Sequence, residues 1–300
     1  VSVIIPTRDR PNLLDEALAS VAAQDVAGDI EAIVVDVGEL SAASVVKSWS
    51  NTLPITFVEF DRHSRPSAAR NAGIGRSLGE FIAFLDDDDL FLPDHLAAGL
   101  KPLQSNEADF VYLGAIVADQ RLNGVSPNPS EFPLKAYPYD HRFLLVANFI
   151  HTGSVIVRNF RNTLVRFDEA LDVCEDWDMW LALTTTLHYR VAFIDKITSV
   201  YHQVAGRPGL VASAQLVAPS RFSVARDYIQ EKWASDDSLV HQYRDWMNSL
   251  ERFRSNLIAK EQRMPNLLFD AILMHLNKRM SSGQPPQYAE IERFFGSANL

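Results

Sequence analysis

The chain is short of several things, and each shortage excludes a class of protein. It has one cysteine in 300 residues, Cys174, which rules out an internal disulfide framework and any cysteine-rich zinc site. It lacks an excess of positive charge: 28 Lys and Arg face 38 Asp and Glu, for a net charge of −10. A polyanion needs a basic footprint, so general nucleic-acid binding is disfavoured. Docking on anionic lipid by charge alone is disfavoured for the same reason. No uninterrupted apolar run approaches the roughly 20 residues of a membrane span, and no signal peptide precedes the first strand. The chain opens at Val1, inside an apolar strand and without methionine; this reads as a trimmed start with flanking domains missing. What is present is globular in character, with 47% hydrophobic and 22% charged residues. The length suits about two domains and buries a core without covalent help.

The first two hundred residues alternate short β-rich runs with helical patterns. Val1 to Ile5 reads as a strand stopped by Pro6. Pro11 to Gln24 then carries Leu14, Leu18, Val21 and Ala22 at helical spacing. Ile33 to Val35 and Ile55 to Phe60 are further strands, and a helix from Pro66 is capped by Gly79. Phe81 to Leu85 is a fourth strand, ending in Asp86-Asp87-Asp88-Asp89. A helix opening at Pro93 leads to a strand over Phe110 to Val117. The Pro-, Asn- and Ser-rich stretch from Asn123 to Tyr139 is a long surface loop. Ser154 to Val157 reads as a strand, Glu175 to Leu187 as a helix, and Tyr189 to Ile194 as a strand. Strands that are apolar throughout and separated by helices indicate an α/β fold, a mostly parallel sheet with helices on both faces. Ligands of such sheets bind beyond the carboxyl ends of the strands, which draws attention to Thr7, Asp36, Asp61 and the Asp86–Asp89 run.

After Gly206-Arg207-Pro208-Gly209 the strand pattern stops. Tyr243, Trp246, Met247, Leu250, Phe253 and Leu257 recur at helical spacing. Pro265 and Gly283-Gln284-Pro285-Pro286 divide this part into two or three helices. The expected organisation is a catalytic α/β domain over 1–206 and a helical accessory domain over 207–300. The apolar stripe must be buried, against the rest of the chain or against a second copy.

Two segments carry chemistry. Four carboxylates directly after a buried strand repel one another and raise their own pKa values unless a cation sits among them. Hard oxygen ligands suit Mn²⁺ or Mg²⁺, which accept phosphate oxygens as further ligands; the bland reading is an acidic turn capping a helix. The second segment is Glu175-Asp176-Trp177-Asp178. By pattern it is the acidic first turn of an amphipathic helix, and a carboxylate so placed can also act as a general base.

Several blocks in order resemble the inverting family 2 glycosyltransferases of GT-A fold, over Val1 to about Tyr201. They are Val1 to Arg10; Ala69-Arg70-Asn71-Ala72-Gly73; Gly79 through Asp88, whose Asp86-Asp87-Asp88 occupies the DxD motif; and Glu175-Asp176 at the ED motif. The resemblance implies a nucleoside diphosphate sugar donor, by default a uridine diphosphate sugar, and a glycan or lipid-linked glycan acceptor. It places Pro6, Thr7, Arg8, Asp36, Arg70, Asn71, Asp86 and Asp87 at the donor, Asp88 on the metal, and Asp176 as the base. Val37 stands where the family usually has a second aspartate. His202 is a further candidate metal ligand, and His151, Glu175 and Trp177 are candidates for the acceptor side.

The expected activity is metal-dependent, inverting transfer of a hexose-type sugar to an acceptor hydroxyl, in bacterial-type polysaccharide or glycoconjugate synthesis. The expected location is cytoplasmic, with membrane contact only through the acceptor or a partner. Rival readings are a non-catalytic GT-A-like binding or assembly module and a nucleotidyltransferase. Neither a GxxxxGK[ST] phosphate loop nor a GxSxG elbow is present.

Overall fold

The computed structural model describes residues 1–122, 127–204, 220–259 and 266–296. The Gly206–Gly209 turn, Pro265 and the side chain of Leu257 lie outside the described residues. The chain forms two compact units. The first comprises Val1–Pro138, Ile150–Ala170 and Ala182–Gly206; the second comprises Tyr139–Phe149, Leu171–Leu181 and Arg207–Leu300.

The first unit is built on one nine-stranded sheet. In chain order its strands are β1 (Ser2–Thr7), β2 (Glu31–Asp36), β3 (Ile55–Glu59), β4 (Phe81–Phe84), β5 (Leu90–Phe91), β6 (Phe110–Ala118), β7 (Leu134–Lys135), β8 (Val155–Arg158) and β9 (Val191–His202). They lie in the order β3-β2-β1-β4-β8-β6-β9-β5, with β7 beside β6. The β3-β2-β1-β4 half is parallel, as its all-apolar strands imply. Beyond β4 the pairing is mixed: β8 runs antiparallel to β4 and β6, while β6 and β9 are parallel. Helices α1 (Pro11–Ala22), α2 (Ala43–Trp49), α3 (Pro66–Arg76) and α4 (His95–Gln104) complete the unit. Val3 and Ile5 share one core with Leu14, Leu18 and Val21 of α1 and Leu96 and Leu100 of α4. Ile4 points the other way, against Gly73 of α3. Both faces of the sheet are therefore covered.

Three local expectations need correction. Pro6 does not stop β1, which continues to Thr7 in register with Asp36. The Ile4 carbonyl bonds Leu85 on the β4 side, so the N–H that Pro6 lacks would point that way too, where β4 has already ended. A missing donor costs nothing there. Gly79 is not a helix cap, since α3 ends at Arg76 with Ser77 in the cap position. A Cβ on Gly79 would stand 2.7 Å from the Ser2 nitrogen, so its lack of a side chain admits β1. The strand expected to end at Ile194 runs to His202 as β9, passing the exposed Asp195 and Lys196 through a register shift opposite Gly114. Such irregularities break the apolar pattern without ending the ladder. The two-residue strands β5 and β7 have no period to read.

The second unit contains α5 (His141–Leu144), the opening turns of α6 (Glu175–Thr185), and α7 (Arg221–Lys232), α8 (Ser238–Ala259), α9 (Asn266–Ser281) and α10 (Ala289–Gly296). The described residues after 206 thus hold four helices rather than two or three. The α8 stripe is covered within this unit: Tyr243, Trp246, Met247 and Leu250 are buried. Tyr243 Oη donates to the Gln284 carbonyl at 2.9 Å, and Trp246 Nε1 donates to that of Gln287 at 3.0 Å. The polar edges of both rings are satisfied by the loop that the prolines create. No helix among the described residues is long and apolar enough to cross a membrane.

Candidate active site

In the first unit the carboxyl ends of β1, β2 and β4 lie side by side, because Thr7 pairs with Asp36 and Ile4 with Phe84. Past Phe84 the chain turns tightly, with the Asp89 N–H bonded to the Asp86 carbonyl at 3.0 Å. Four carboxylates are thereby packed into one turn. The cations among them are supplied by the chain itself. Arg70, buried in α3, donates to Asp86 Oδ1 at 2.6 Å. Arg10, at the start of α1, spans Asp87 Oδ1 at 2.5 Å and Asp88 Oδ2 at 2.6 Å. Thr7 Oγ1 donates to Asp87 Oδ2 at 2.7 Å, and His151 Nε2 stands 3.2 Å from Asp89 Oδ2.

These partners leave the four groups electrostatically unequal. Burial pushes Asp87 up to about 7, against the pull of Arg10 and Thr7. Burial also raises Asp89 well above the carboxylate range, with Asp88 and Asp86 adding to the push. Asp86 meets the same burial, yet Arg70's charge and hydrogen bond hold it below its ordinary value. Asp88 and Asp86 are the accessible members, their side chains 35% and 30% exposed.

His202, at the end of β9, has both ring nitrogens engaged. The Leu122 N–H donates to Nε2 at 3.2 Å, so the ring hydrogen lies on Nδ1 and is donated to the Asp88 carbonyl at 2.7 Å. Burial and nearby Arg121 lower its pKa to about 4, keeping the ring neutral. No group of three or more His, Cys, Asp or Glu suited to a metal ion occurs among the described residues.

Other candidates of this unit are placed as follows. Asp36 is buried, and both its oxygens accept backbone N–H groups, from Gly38 at 2.9 Å and Ala42 at 2.7 Å. Pro6 is half-buried in β1, and exposed Arg8 contacts His63 Nδ1 at 3.0 Å. Asn71 binds the 167–169 segment, through the Phe167 carbonyl and N–H and Glu169 Oε1. His151 is buried, its ring 4.4 Å from that of Tyr201. Two contributors escape sequence reasoning. One is Arg10 as a counter-ion. The other is Asp9, at a φ of 55°, whose Oδ1 accepts the Glu39 and Leu40 N–H groups at 2.6 and 2.7 Å. Gly38 was the available signal for Asp9: a Cβ there would lie 2.6 Å from the Asp9 nitrogen.

The second unit holds the other acidic segment. Cys174 takes a φ of 62° and α6 begins at Glu175. Trp177 is buried and donates from Nε1 to the Leu144 carbonyl at 2.6 Å. Asp178 is buried and satisfied by Lys232 Nζ at 2.9 Å and Trp233 Nε1 at 2.7 Å. Glu175 and Asp176 are half-buried. Asp176 Oδ2 accepts from Asn148 Nδ2 at 2.9 Å and Oδ1 from the Trp177 N–H at 2.8 Å. Both contacts help to orient this carboxylate.

Comparison with known proteins identifies the family and the fold. The family model described as "Glycosyl transferase family 2" matches residues 2–164. The glycosyltransferase YwdF of Bacillus subtilis, itself uncharacterized, is 32% identical over 67% of this chain and 73% of its own length. The Escherichia coli protein named as a putative colanic acid biosynthesis glycosyl transferase, WcaA, is 28% identical over 74% of this chain and 77% of its own. With some other relatives the match spans as little as 18% of their length. Among solved structures, a mannosyltransferase of Pyrobaculum calidifontis in complex with GDP-Man and Mn²⁺ superimposes with a TM-score of 0.56 at 18% identity. That match covers 99% of this chain and 85% of that one, and shows the shared GT-A fold. With the family model matching more than half of its length, this chain belongs to glycosyl transferase family 2.

Proposed function

We propose that the protein transfers a hexose-type sugar from a nucleoside diphosphate donor, by default a uridine diphosphate sugar, to an acceptor hydroxyl with inversion. The setting proposed is bacterial-type polysaccharide or glycoconjugate synthesis, with a glycan or lipid-linked glycan as acceptor and the protein in the cytoplasm. The observation that carries this reading is the acidic turn after β4, gathered with Thr7, Arg10 and Arg70 at the carboxyl ends of the parallel strands. That is where an open α/β sheet binds its ligand.

Asp88 fits a divalent cation: it is a hard oxygen donor, partly exposed, in a turn whose Asp87 and Asp89 are buried. Bound there, Mn²⁺ or Mg²⁺ supplies charge neutralisation for the departing diphosphate. His202 joins Asp88 as a ligand only by giving up the Leu122 hydrogen bond. A cation held by Asp88 would compete with Arg10 for that carboxylate, and a diphosphate oxygen would offer the guanidinium an alternative partner. Arg70 keeps Asp86 ionised throughout. In this reading Asp176 takes the proton from the acceptor hydroxyl as it attacks the anomeric carbon, and the nucleoside diphosphate leaves from the opposite side. Asn148 and the Trp177 N–H hold the carboxylate as it accepts that proton.

A thermal-shift panel tests the donor half. UDP-glucose, UDP-N-acetylglucosamine and GDP-mannose are each added with and without Mn²⁺ to the wild-type protein and to Asp88→Ala. A ligand that binds only the folded state raises the melting temperature with its concentration. The expected result is an Mn²⁺-dependent rise with one donor, lost in Asp88→Ala. A rise that is undiminished in the folded variant removes Asp88 from the donor site.

A further inference from the structure

Asp88 is gripped at two places by the first unit, and the two grips differ in kind. On its side chain, Arg10 pairs with Oδ2 at 2.6 Å, and Arg10 is itself 42% exposed. On its main chain, the Asp88 carbonyl accepts two hydrogen bonds. The His202 ring donates at 2.7 Å and Arg121 Nη1 at 2.5 Å. Arg121 is much less exposed than Arg10, and its Nη2 donates to Glu16 of α1. The guanidinium therefore bridges the acidic turn and α1, the same helix that Arg10 precedes. Short-range structure brings Arg121 to that place. β6 ends at Ala118, which pairs with His202 and whose carbonyl accepts the Gln203 N–H at 2.7 Å. Asp119 and Gln120 are exposed, and the chain then returns to β9, where the Leu122 N–H meets His202 Nε2 at 3.2 Å.

A turn at the edge of a sheet can have its carbonyls satisfied by water or by neutral donors. A charged donor binds more strongly, and here one is placed on the peptide that follows the partly exposed Asp88. We infer that Arg121 is a positioning residue for Asp88. By fixing the carbonyl it fixes the direction in which the side chain leaves the turn. Its bond goes to the backbone, so a cation on the carboxylate does not compete for it as it does with Arg10. The exchangeable partner thus sits on the oxygen that binds, and the permanent one on the main chain behind it. A planar fork suits this bridge, since one arm reaches Glu16 and the other Asp88; the single ammonium of a lysine does not span both in the same geometry. Outer groups of this kind set the orientation and affinity of the ligands they touch. The inference rests on the reading of Asp88 as the ligand of a divalent cation.

Equilibrium dialysis tests it, with UDP and GDP each used as the probe, in the presence and absence of Mn²⁺. The quantity read is the ratio of the nucleotide's Kd without Mn²⁺ to its Kd with Mn²⁺. A general loss of stability leaves that ratio unchanged while the protein is folded, which circular dichroism checks. Wild type, Arg121→Met, Arg121→Lys, Glu16→Gln and Asp88→Ala are compared. Wild type should bind one of the two nucleotides more tightly with Mn²⁺, and Asp88→Ala should abolish that gain. Loss of a group that orients a metal ligand costs about 10- to 100-fold in metal affinity, so Arg121→Met should lower the ratio by about 10-fold or more. Arg121→Lys and Glu16→Gln each keep part of the bridge and should lower it by a smaller factor. The inference is overturned if folded Arg121→Met and Arg121→Lys keep the wild-type ratio while Asp88→Ala loses it. Where Arg121→Met does not fold, Arg121→Lys, which keeps the charge but not the fork, decides alone. If Asp88→Ala keeps the gain, or wild type shows none, the reading of Asp88 fails instead, and with it this inference.

Discussion

Each unit carries one acidic segment, and the two segments differ in the partners around their carboxylates. In the first, four adjacent carboxylates are divided among Arg10, Arg70, Thr7 and His151, so that charge meets charge or a buried polar group at every oxygen-rich corner. In the second, Asp176 accepts from the Asn148 amide and the Trp177 N–H, while Asp178, two residues on, is held by Lys232 and the Trp233 ring N–H. A group that must receive and release a diphosphate benefits from partners that can be exchanged for the ligand's own charges. One that must take a proton benefits from partners that fix its direction and leave its charge available. In the proposed reading, the ionic cluster serves donor binding and Asp176 serves proton transfer, and the comparison is tested by separating the two.

The sharpest way to break this comparison is Asp176→Asn. The amide keeps the shape but cannot take a proton, so sugar transfer should fall by about 10²–10⁴-fold while the donor-induced thermal shift is retained. Transfer within a few-fold of wild type would remove Asp176 from the mechanism. Next in size is Trp246→Ala in α8. It removes a fully buried ring and its bond to Gln287, at a cost of about 3–5 kcal/mol. Urea denaturation should show this as an early transition; an unchanged curve would mean that the stripe contributes no core.

A smaller effect separates titration from ion pairing. His95, fully buried against Phe91 and bonded to Thr198 Oγ1 at 2.8 Å, has its pKa lowered by burial to about 3. As pH falls below about 6.5 the unfolded chain binds a proton that the folded one refuses, so stability is lost from there down to about pH 3. Between pH 7 and pH 5 this amounts to about 2 kcal/mol. His95→Phe should flatten the stability curve by that amount, and an unaltered slope would refute the buried neutral histidine. Smallest is Arg10→Met. Arg10 is 42% exposed, and its pair with Asp88 is screened by solvent. Its loss should be felt more at pH 8 than at pH 6, because Asp87, already raised to about 7 by burial, would then ionise without its cation. Equal destabilisation at both pH values would show that Arg10 acts by packing alone.

Much of the first unit was legible in the sequence because its signals are local. All-apolar strands, helical periods and a run of four aspartates need no partner to be recognised, and the parallel half of the sheet follows from them. The mixed half was not legible, since β8 inserts between β4 and β6 although it lies more than 70 residues beyond β4 in the chain. Four crowded carboxylates announce a cation but not which one, and Arg10 could be matched to Asp87 and Asp88 only across that same kind of gap. Asn148 gave no signal at all: a single amide in an apolar stretch has meaning only when folding brings it to Asp176, 28 residues on. The helices after 220 were visible as an apolar stripe. The Asp88 carbonyl that Arg121 meets was not visible, because backbone acceptors are identical at every position.

The measurement that tests the central claim most directly is proton NMR of wild-type turnover, with the donor that gives a thermal shift and with Mn²⁺ present. The account predicts release of nucleoside diphosphate together with a sugar whose anomeric configuration is initially opposite to that of the donor. Release of pyrophosphate, retention of configuration, or no turnover despite donor binding would contradict it, pointing respectively to nucleotidyl transfer, a different displacement geometry, or a fold kept for binding alone.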